Sequence, residues 1–353
     1  MQRKYILPLF LLIQIVFLQV VSFFPKLIER YYSNGLYVWI AKFSRITFGF
    51  FSFSVGDIIY FGVILVLIQW VYGQRKIWRT NWKAIILKII SFLSVFYFLF
   101  NLLWALNYHR TPLFEKLNIE KDYSNADLLQ FTEDLIAKTN QIHNQIAKNK
   151  DLKVAFPYTQ EQVFEMNLEG YQSLSKVFPS FEYENASIKK SLISVPLSYM
   201  GFGGYLNPFT NEAQVNDKGP MYNFPTTVCH EMAHQLGYAS ESEANFIGFL
   251  ASVKNDNLYF QYSGYSYALR YCLHNWQIRD EKMFAILHKK VNPGILKNYD
   301  ESNAFWKQYE TFVETGFQIF YDNFLKFNQQ KDGMEGYSKF VNLMVNYYKD
   351  KPL

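Results

Sequence analysis

Three long apolar runs occupy the first third of the chain, and a helical stripe of apolar positions recurs through the rest. Between Lys4 and Lys26 lie 21 uncharged residues that include "ILPLFLLIQIVFLQVVSFF". A second run, "IIYFGVILVLIQWVYGQ", separates Asp57 from Arg75, and a third, "IISFLSVFYFLFNLLWALNYH", separates Lys88 from Arg110. A bilayer's hydrocarbon core matches about 20 apolar residues at helical rise. The runs therefore predict transmembrane helices over about 6–24, 58–74 and 89–108. Between the first two, "LYVWIAKFSRITFGFFSFSVG" is aromatic with two isolated cations. Its pattern fits an amphipathic element lying in the membrane interface, or a segment packed on the spans.

From Thr111 the pattern turns polar with a period near 3.6. In "NADLLQFTEDLIAKTNQIHNQIAK" the apolar positions Leu128, Leu129, Phe131, Leu135, Ile136, Ile142 and Ile146 form one stripe. "TQEQVFEMNLEGYQSLSKVF" repeats the pattern, opening on a capping residue and ending before Pro179. Further helices follow in "YSYALRYCLHNW", "RDEKMFAILHKKV" and "FVETGFQIFYDNFLKF". The exception is "GFGGYLNPFTNEAQVN", residues 201–216, whose glycines, proline and closing alternation predict a strand or hairpin. Such an edge beside a cleft can hold an extended peptide by main-chain hydrogen bonds; a glycine-rich surface turn is the plainer reading. The fold class is thus mainly α, with a three-helix membrane anchor over 1–110 and a mostly helical domain with a small β element over 111–353.

Composition agrees. Half of the residues are hydrophobic and only 18% are charged, which demands a very large core or a membrane. Charge then divides the chain where the pattern does. Residues 1–110 hold 12 cations against 2 acids, a net +10, and the remainder holds 23 against 28, a net −5. A nucleic-acid binder would carry its basic patch on the soluble part, so that class of partner is not expected. The first run follows a basic start, as a signal peptide does, but "QVVSFFPK" offers no small-residue cleavage site and reads as an uncleaved anchor. The loop "GQRKIWRTNWK" has four cations and no acid, which places it in the cytoplasm and everything beyond about residue 110 outside it. The loop after the first run also carries four cations, so the bias is modest. The two cysteines, Cys229 and Cys272, make no metal-type spacing and no disulfide framework.

Candidate chemistry concentrates in "TTVCHEMAHQLGYASESEANFIGFL", from Thr226 to Leu250. Pro225 and Gly237 bracket a helix on which His230 and His234, four apart, share a face. Two imidazoles so placed hold zinc well when a third protein ligand joins them and one position stays open. Glu231, beside that face, can take a proton from a water there. His109, His143 and His288 read as solvated or satisfied histidines, and Cys229 as a core thiol.

The stretch "HEMAHQLGYASESEAN" resembles the glutamate-type zincins, whose third ligand comes from a Glu-x-x-Ala-Asp/Asn helix; the membrane prenyl-protein proteases and the phage-repressor-cleaving metallopeptidases use that helix. More closely, the whole chain is similar to a family of bacterial three-span membrane proteins without a settled activity. The stretches carrying that likeness are "LLWALNYHRTPL", "GYLNPFTNEAQVN", the metal motif, "YSGYSYALRY" and "DGMEGYSKFVNLMVNYY". The resemblance implies a zincin-like domain in the bacterial inner membrane, a Zn2+ cofactor, a peptide or protein substrate, and the bilayer as the other partner. Only six residues separate His234 from Glu241, fewer than in many zincins.

Two glutamates compete for the third ligand position. With Ser240 as the cap of a new helix, Glu243 falls at its third position, so "SESE" reads as a capping box that occupies Glu243 locally. Glu241 has no such partner and stands four residues before Asn245, the spacing of the resembled helix, with Asn245 placed to orient it. The expected site is therefore His230, His234 and Glu241 on zinc with Glu231 as general base; Tyr265, Arg270 and Tyr337 are candidate oxyanion donors. Two other readings stay open: a membrane-anchored zinc-binding scaffold without catalysis, and a hydrolase of cell-wall peptide. A structural zinc site needs no base, so the intact Glu231 favours catalysis.

Overall fold

Apolar helices that few side chains cover are the first feature of the computed structural model, which describes residues 3–328 and 337–353. The chain opens with α1 (Ile6–Val21), then α2 (Tyr37–Gly49), α3 (Val55–Gln74) and α4 (Trp82–Leu103). The segment Arg3–Val21, which contains α1, and helices α3 and α4 are long and apolar enough to cross a membrane. Their ends differ from the expected ones for local reasons. The first stops at Val21 because Phe24 leaves helical geometry before Pro25, as a residue preceding proline tends to. The second starts three residues early, where Ser54 caps it by accepting from the Asp57 amide at 2.9 Å. The third starts at Trp82, since Lys83 and Lys88 are accommodated inside the helix, and it ends at Leu103 rather than 108. Long cationic side chains reach away from apolar surface, so a lysine marks a helix end poorly.

The aromatic stretch between the first two spans is a helix, α2, reached through a wide π-helical turn at Ile28–Leu36. Its inner face packs on the C-terminal half, where the buried Tyr37 hydroxyl donates to the Gln235 carbonyl at 3.1 Å. Trp39, Phe43 and Ile46 remain exposed on its outer face.

Beyond residue 110, α5 (Asn125–Ala147) and α6 (Gln160–Ser175) each begin with a capping box, Ser124 with Asp127 and Thr159 with Gln162. A small sheet follows: β1 (Ile188–Lys190), the short helix α7 (Ser194–Met200), β2 (Gly204–Leu206) and β3 (Ala213–Val215). The strand order is β1-β3-β2, with β1 parallel and β2 antiparallel to the central β3. The 201–216 stretch is thus the hairpin its glycines suggested. Then come α8 (Phe224–Gln235), α9 (Glu241–Val253), α10 (Leu258–Arg279), α11 (Glu281–His288), α12 (Pro293–Lys307), α13 (Phe312–Phe327) and α14 (Tyr337–Tyr348). The core lies among α5, α6, α8, α9, α10 and α14, around Val228, Phe249, Phe260, Leu269 and Phe340, all fully buried.

The two halves interlock through buried polar groups. Glu212, fully buried beside β3, accepts from the Val55 and Gly56 amides at 3.1 and 2.6 Å, satisfying the open N-terminus of α3. Asp57 accepts from Ser191 Oγ and the Leu192 amide at 3.0 and 2.7 Å, and also from the Tyr205 hydroxyl.

Candidate metal centre

Helix α8 begins where Pro225 supplies a fixed φ at its first turn and ends at Gly237, whose φ of +83° suits a residue without a Cβ. Within it His230 and His234 fall on one face, and their Nε2 atoms approach to 3.0 Å. Helix α9 crosses close behind, because Gly248 presents no side chain to the backbone at His230. A Cβ there would lie 2.9 Å from the His230 amide nitrogen. That crossing carries the first residue of α9, Glu241, to the imidazole pair, with its Oε2 at 3.3 Å from His230 Nε2 and 3.7 Å from His234 Nε2.

These donors fit a divalent cation. Two nitrogens each bound at about 2.0–2.1 Å in tetrahedral geometry stand about 3.3 Å apart, close to the observed spacing. The His234 ring is also oriented for it. Its Nδ1 lies 2.7 Å from the Tyr238 carbonyl, which can only accept, so Nδ1 bears the hydrogen and Nε2 is the atom presented to the cluster. Burial opposes a charge on His234, yet the Glu241 carboxylate overcomes it and holds the imidazolium up to about 9. Burial likewise pushes Glu241 up, but hydrogen bonds from His230 and His234 outweigh it and keep the carboxyl well below its ordinary range. The cluster already favours a positive charge at its centre.

Glu231 sits against this cluster without joining its ion pairs. His230, Glu231 and His234 offer ligand atoms that all lie within 4.8 Å of one another. Burial pushes the Glu231 carboxyl up to about 7, against the pull of His230 and His234. Its buried Oε2 has no hydrogen-bond partner among the described residues. Room for it comes from Gly204 in β2, where a Cβ would come within 2.6 Å of Glu231 Oε1.

The remaining expectations divide. Ser240 does precede α9, but its side chain caps no amide, so the capping box does not form. Glu243 instead reaches back to the segment after α4, accepting from the Leu113 amide at 2.6 Å. A main-chain amide with no other acceptor outcompetes the local cap. Asn245 does not orient Glu241: it accepts from the Tyr267 hydroxyl at 2.7 Å. The orienting donor is Tyr321 in α13, whose hydroxyl lies 2.6 Å from Glu241 Oε1. Burial pushes that phenol far above its usual range, so it stays a donor. Nothing in the local pattern of "FQIFYDNF" marks Tyr321, which is 80 residues away in sequence. Of the proposed oxyanion donors, Tyr265 is buried in the core against Phe249, Arg270 faces the site cavity, and the Tyr337 side chain lies outside the described residues. His143 is a buried histidine satisfied by the Leu152 carbonyl at 2.9 Å, and Cys229 is a buried thiol beside Asn167. His288, half-buried, lines the cavity.

The loop after α8 is pinned from the membrane side. Arg110 donates to the Gly237 carbonyl at 2.8 Å, lies over the Tyr238 ring, and pairs with Glu29 at 2.9 Å; Lys116 reaches the same Glu29 at 2.7 Å. Burial alone would raise Glu29, but the two cations bring it down to about 2. This partly buried cluster holds the Gly237 carbonyl and the Tyr238 ring, next to the Tyr238 carbonyl that orients His234. Trp104, just after α4, donates to the His234 carbonyl at 3.4 Å.

The cluster opens into a cavity of about 1200 Å³. One wall is β2 and α8, another is α13, and Tyr60 of α3 and Phe100 of α4 close the membrane side. Taken together, the chain is a membrane-associated, mainly helical protein with a two-histidine, glutamate-flanked cluster in a large cavity beside its apolar helices. It belongs to a family described as proteins of unknown function, DUF3810, whose model matches residues 32–345. No curated protein and no solved structure matches the chain.

Proposed function

We propose that this protein is a membrane-anchored zinc-dependent hydrolase, and specifically a metallopeptidase with its site on the extracytoplasmic side of a bacterial inner membrane. The observation that carries the reading is the convergence of His230 Nε2, His234 Nε2 and the Glu241 carboxylate, with a buried, proton-accepting Glu231 beside them and an edge strand alongside. Zinc at this cluster supplies Lewis acidity toward a carbonyl and a water of lowered pKa.

The chain's own residues account for the other requirements of amide hydrolysis. Glu231, with one oxygen unpartnered, accepts a proton from the attacking water and passes it to the departing amine. Tyr321 fixes the Glu241 carboxylate, and the Tyr238 carbonyl fixes the His234 ring. Strand β2 is at the sheet edge. Gly203 and Asn207 bond toward β3, so alternation turns the polar groups of Gly204 and Leu206 away from it. An extended peptide laid along that edge would pass next to Glu231.

The test uses full-length protein in detergent or nanodiscs. Metal analysis should find about one zinc per chain, removed by His230→Ala. Digestion of a peptide library should show cleavage that Glu231→Gln abolishes while zinc is retained. Zinc-free protein after reconstitution at neutral pH overturns the reading. Zinc without any hydrolysis would instead favour the scaffold role.

A further inference from the structure

Helix α13 is apolar on two faces where a surface helix of a soluble domain needs one. Phe317, Tyr321 and Phe324 point into the site cavity. Phe312, Ile319, Phe320 and Phe327 point outward, and Phe312, Phe320 and Phe327 are 88%, 61% and 70% exposed. At 100° per residue the outward set, which Asn323 interrupts, adjoins the cavity set, leaving a polar strip that contains Gln318, Asp322 and Lys326. A helix patterned this way is suited to lying at the membrane interface.

The position of α13 agrees with that environment. Phe324 packs against Phe100 in the last turn of α4, with ring centroids 6.1 Å apart. The helix also lies against α7, whose Val195 is exposed. Leu192, just before α7, is exposed too, while its amide is bonded to Asp57 at the start of α3. Helix α13 therefore lies beside the ends of two helices able to cross a membrane, with an exposed apolar face turned outward. The cavity behind it is lined by Tyr60 and Phe100 from those same helices, and it is larger than the roughly 300–1000 Å³ typical of small-molecule sites.

We infer that α13 is embedded in the membrane interface and that the cavity receives its substrate from the bilayer: a peptide carried on a hydrocarbon chain. The chain lodges among Phe100, Phe317 and Phe324, and the peptide runs from there past His230 and Glu231 along β2. This substrate class rests on the metallopeptidase reading; the placement of α13 does not.

The two parts are tested on full-length protein in phosphatidylcholine–phosphatidylglycerol nanodiscs, with zinc content measured on the same samples. A phospholipid bearing a photoreactive group in its acyl chain should label the peptide spanning residues 312–327 as well as α1, α3 and α4. Phe312→Lys combined with Phe320→Lys should reduce adducts on α13 at least tenfold while the spans remain labelled, and Phe320→Ser should give a smaller drop. Both replacements fall on exposed positions, and an unchanged thermal unfolding transition shows that the fold survives. Labelling confined to the three spans overturns the placement. For the substrate class, Glu231→Gln protein should bind an N-palmitoylated peptide at least tenfold more tightly than the same peptide without the chain. The comparison is made with the peptide in the nanodisc membrane, at equal membrane concentration, and against the Phe317→Asp variant. Equal binding of both peptides, or an acyl advantage that Phe317→Asp leaves intact, overturns it. Absence of zinc in every sample would count against the hydrolase reading and leave the labelling result standing by itself.

Discussion

Glu241 and Glu243 are two residues apart, begin the same helix and have different jobs. Glu241 meets two imidazoles and a phenol, while Glu243 meets a backbone amide near the membrane anchor. Glu241→Ala should therefore weaken zinc binding by orders of magnitude, and Tyr321→Phe by about 10- to 100-fold, as losses of an outer partner typically do. Glu243→Gln should leave zinc affinity nearly unchanged but lower stability by about 1–3 kcal/mol, because Leu113 N–H keeps a poorer acceptor. Zinc titration and thermal unfolding of the three variants separate these effects, and the opposite pattern would exchange the two roles. Glu29 gives a residue-scale prediction in pH. Its folded value, about 2, lies below that of an unfolded carboxyl, so the folded state binds fewer protons. The stability this provides is full above the ordinary carboxylate range and is lost as pH falls toward about 2. The Tm of wild type should exceed that of Glu29→Gln at neutral pH, and the gap should close steadily on acidification below about pH 5. A gap that stayed constant with pH would mean that Glu29 contributes by packing alone.

At the scale of elements, the site is made by two helices crossing at a glycine. A methyl group at Gly248 would meet the His230 amide nitrogen at 2.9 Å and its Cα at 3.0 Å, and both belong to backbone that cannot rotate away. Gly248→Ala should push α8 and α9 apart, cost about 1–3 kcal/mol as overpacking does, and weaken zinc by moving Glu241 off the imidazole pair. Wild-type Tm and zinc affinity in that variant would show that the crossing has room for a side chain at position 248. The same two helices show what could be read from the chain alone. Pro225, Gly237 and the four-residue histidine spacing act within one or two turns, so α8 and the face shared by its two histidines were legible. The hairpin at 201–216 was legible for the same reason. The capping box was also a local inference, and it failed because the acceptor it assigned is taken by an amide 130 residues away in sequence. Tyr321, Arg110 and Glu29 were invisible for that reason too: their roles exist only once distant segments meet. Helix α4 begins before the expected span because a lysine marks a helix end poorly: its long stem lets it sit inside the helix.

At the scale of the whole molecule, the folded domain fixes which ends of the spans lie on one side. The start of α3 is held by Glu212 and Asp57, and the residue after α4 reaches His234, so both ends lie with the domain. Arg75, Lys76, Arg79 and Lys83 then lie at the opposite ends, together with Arg3 and Lys4. The counterweight in the sequence was the loop after α1, with cations at Lys26, Arg30, Lys42 and Arg45. Two of these are committed to the domain: Arg45 is buried over the Tyr183 ring, and Lys42 pairs with Glu184 at 2.9 Å. Cations engaged in protein contacts are less available to hold a loop in the cytoplasm, so the four in the 75–83 connection outweigh them. The domain is accordingly expected outside the cytoplasm. Two measurements on intact cells check this. An alkaline phosphatase fused after Leu353 should be active. A cysteine introduced as Trp78→Cys should react with a membrane-impermeant maleimide only after the cells are permeabilised. The native Cys229 and Cys272 are buried and should give little background. Labelling of Trp78→Cys in sealed cells, with an inactive phosphatase, would turn the molecule over and place the His230–Glu231–His234 cluster in the cytoplasm.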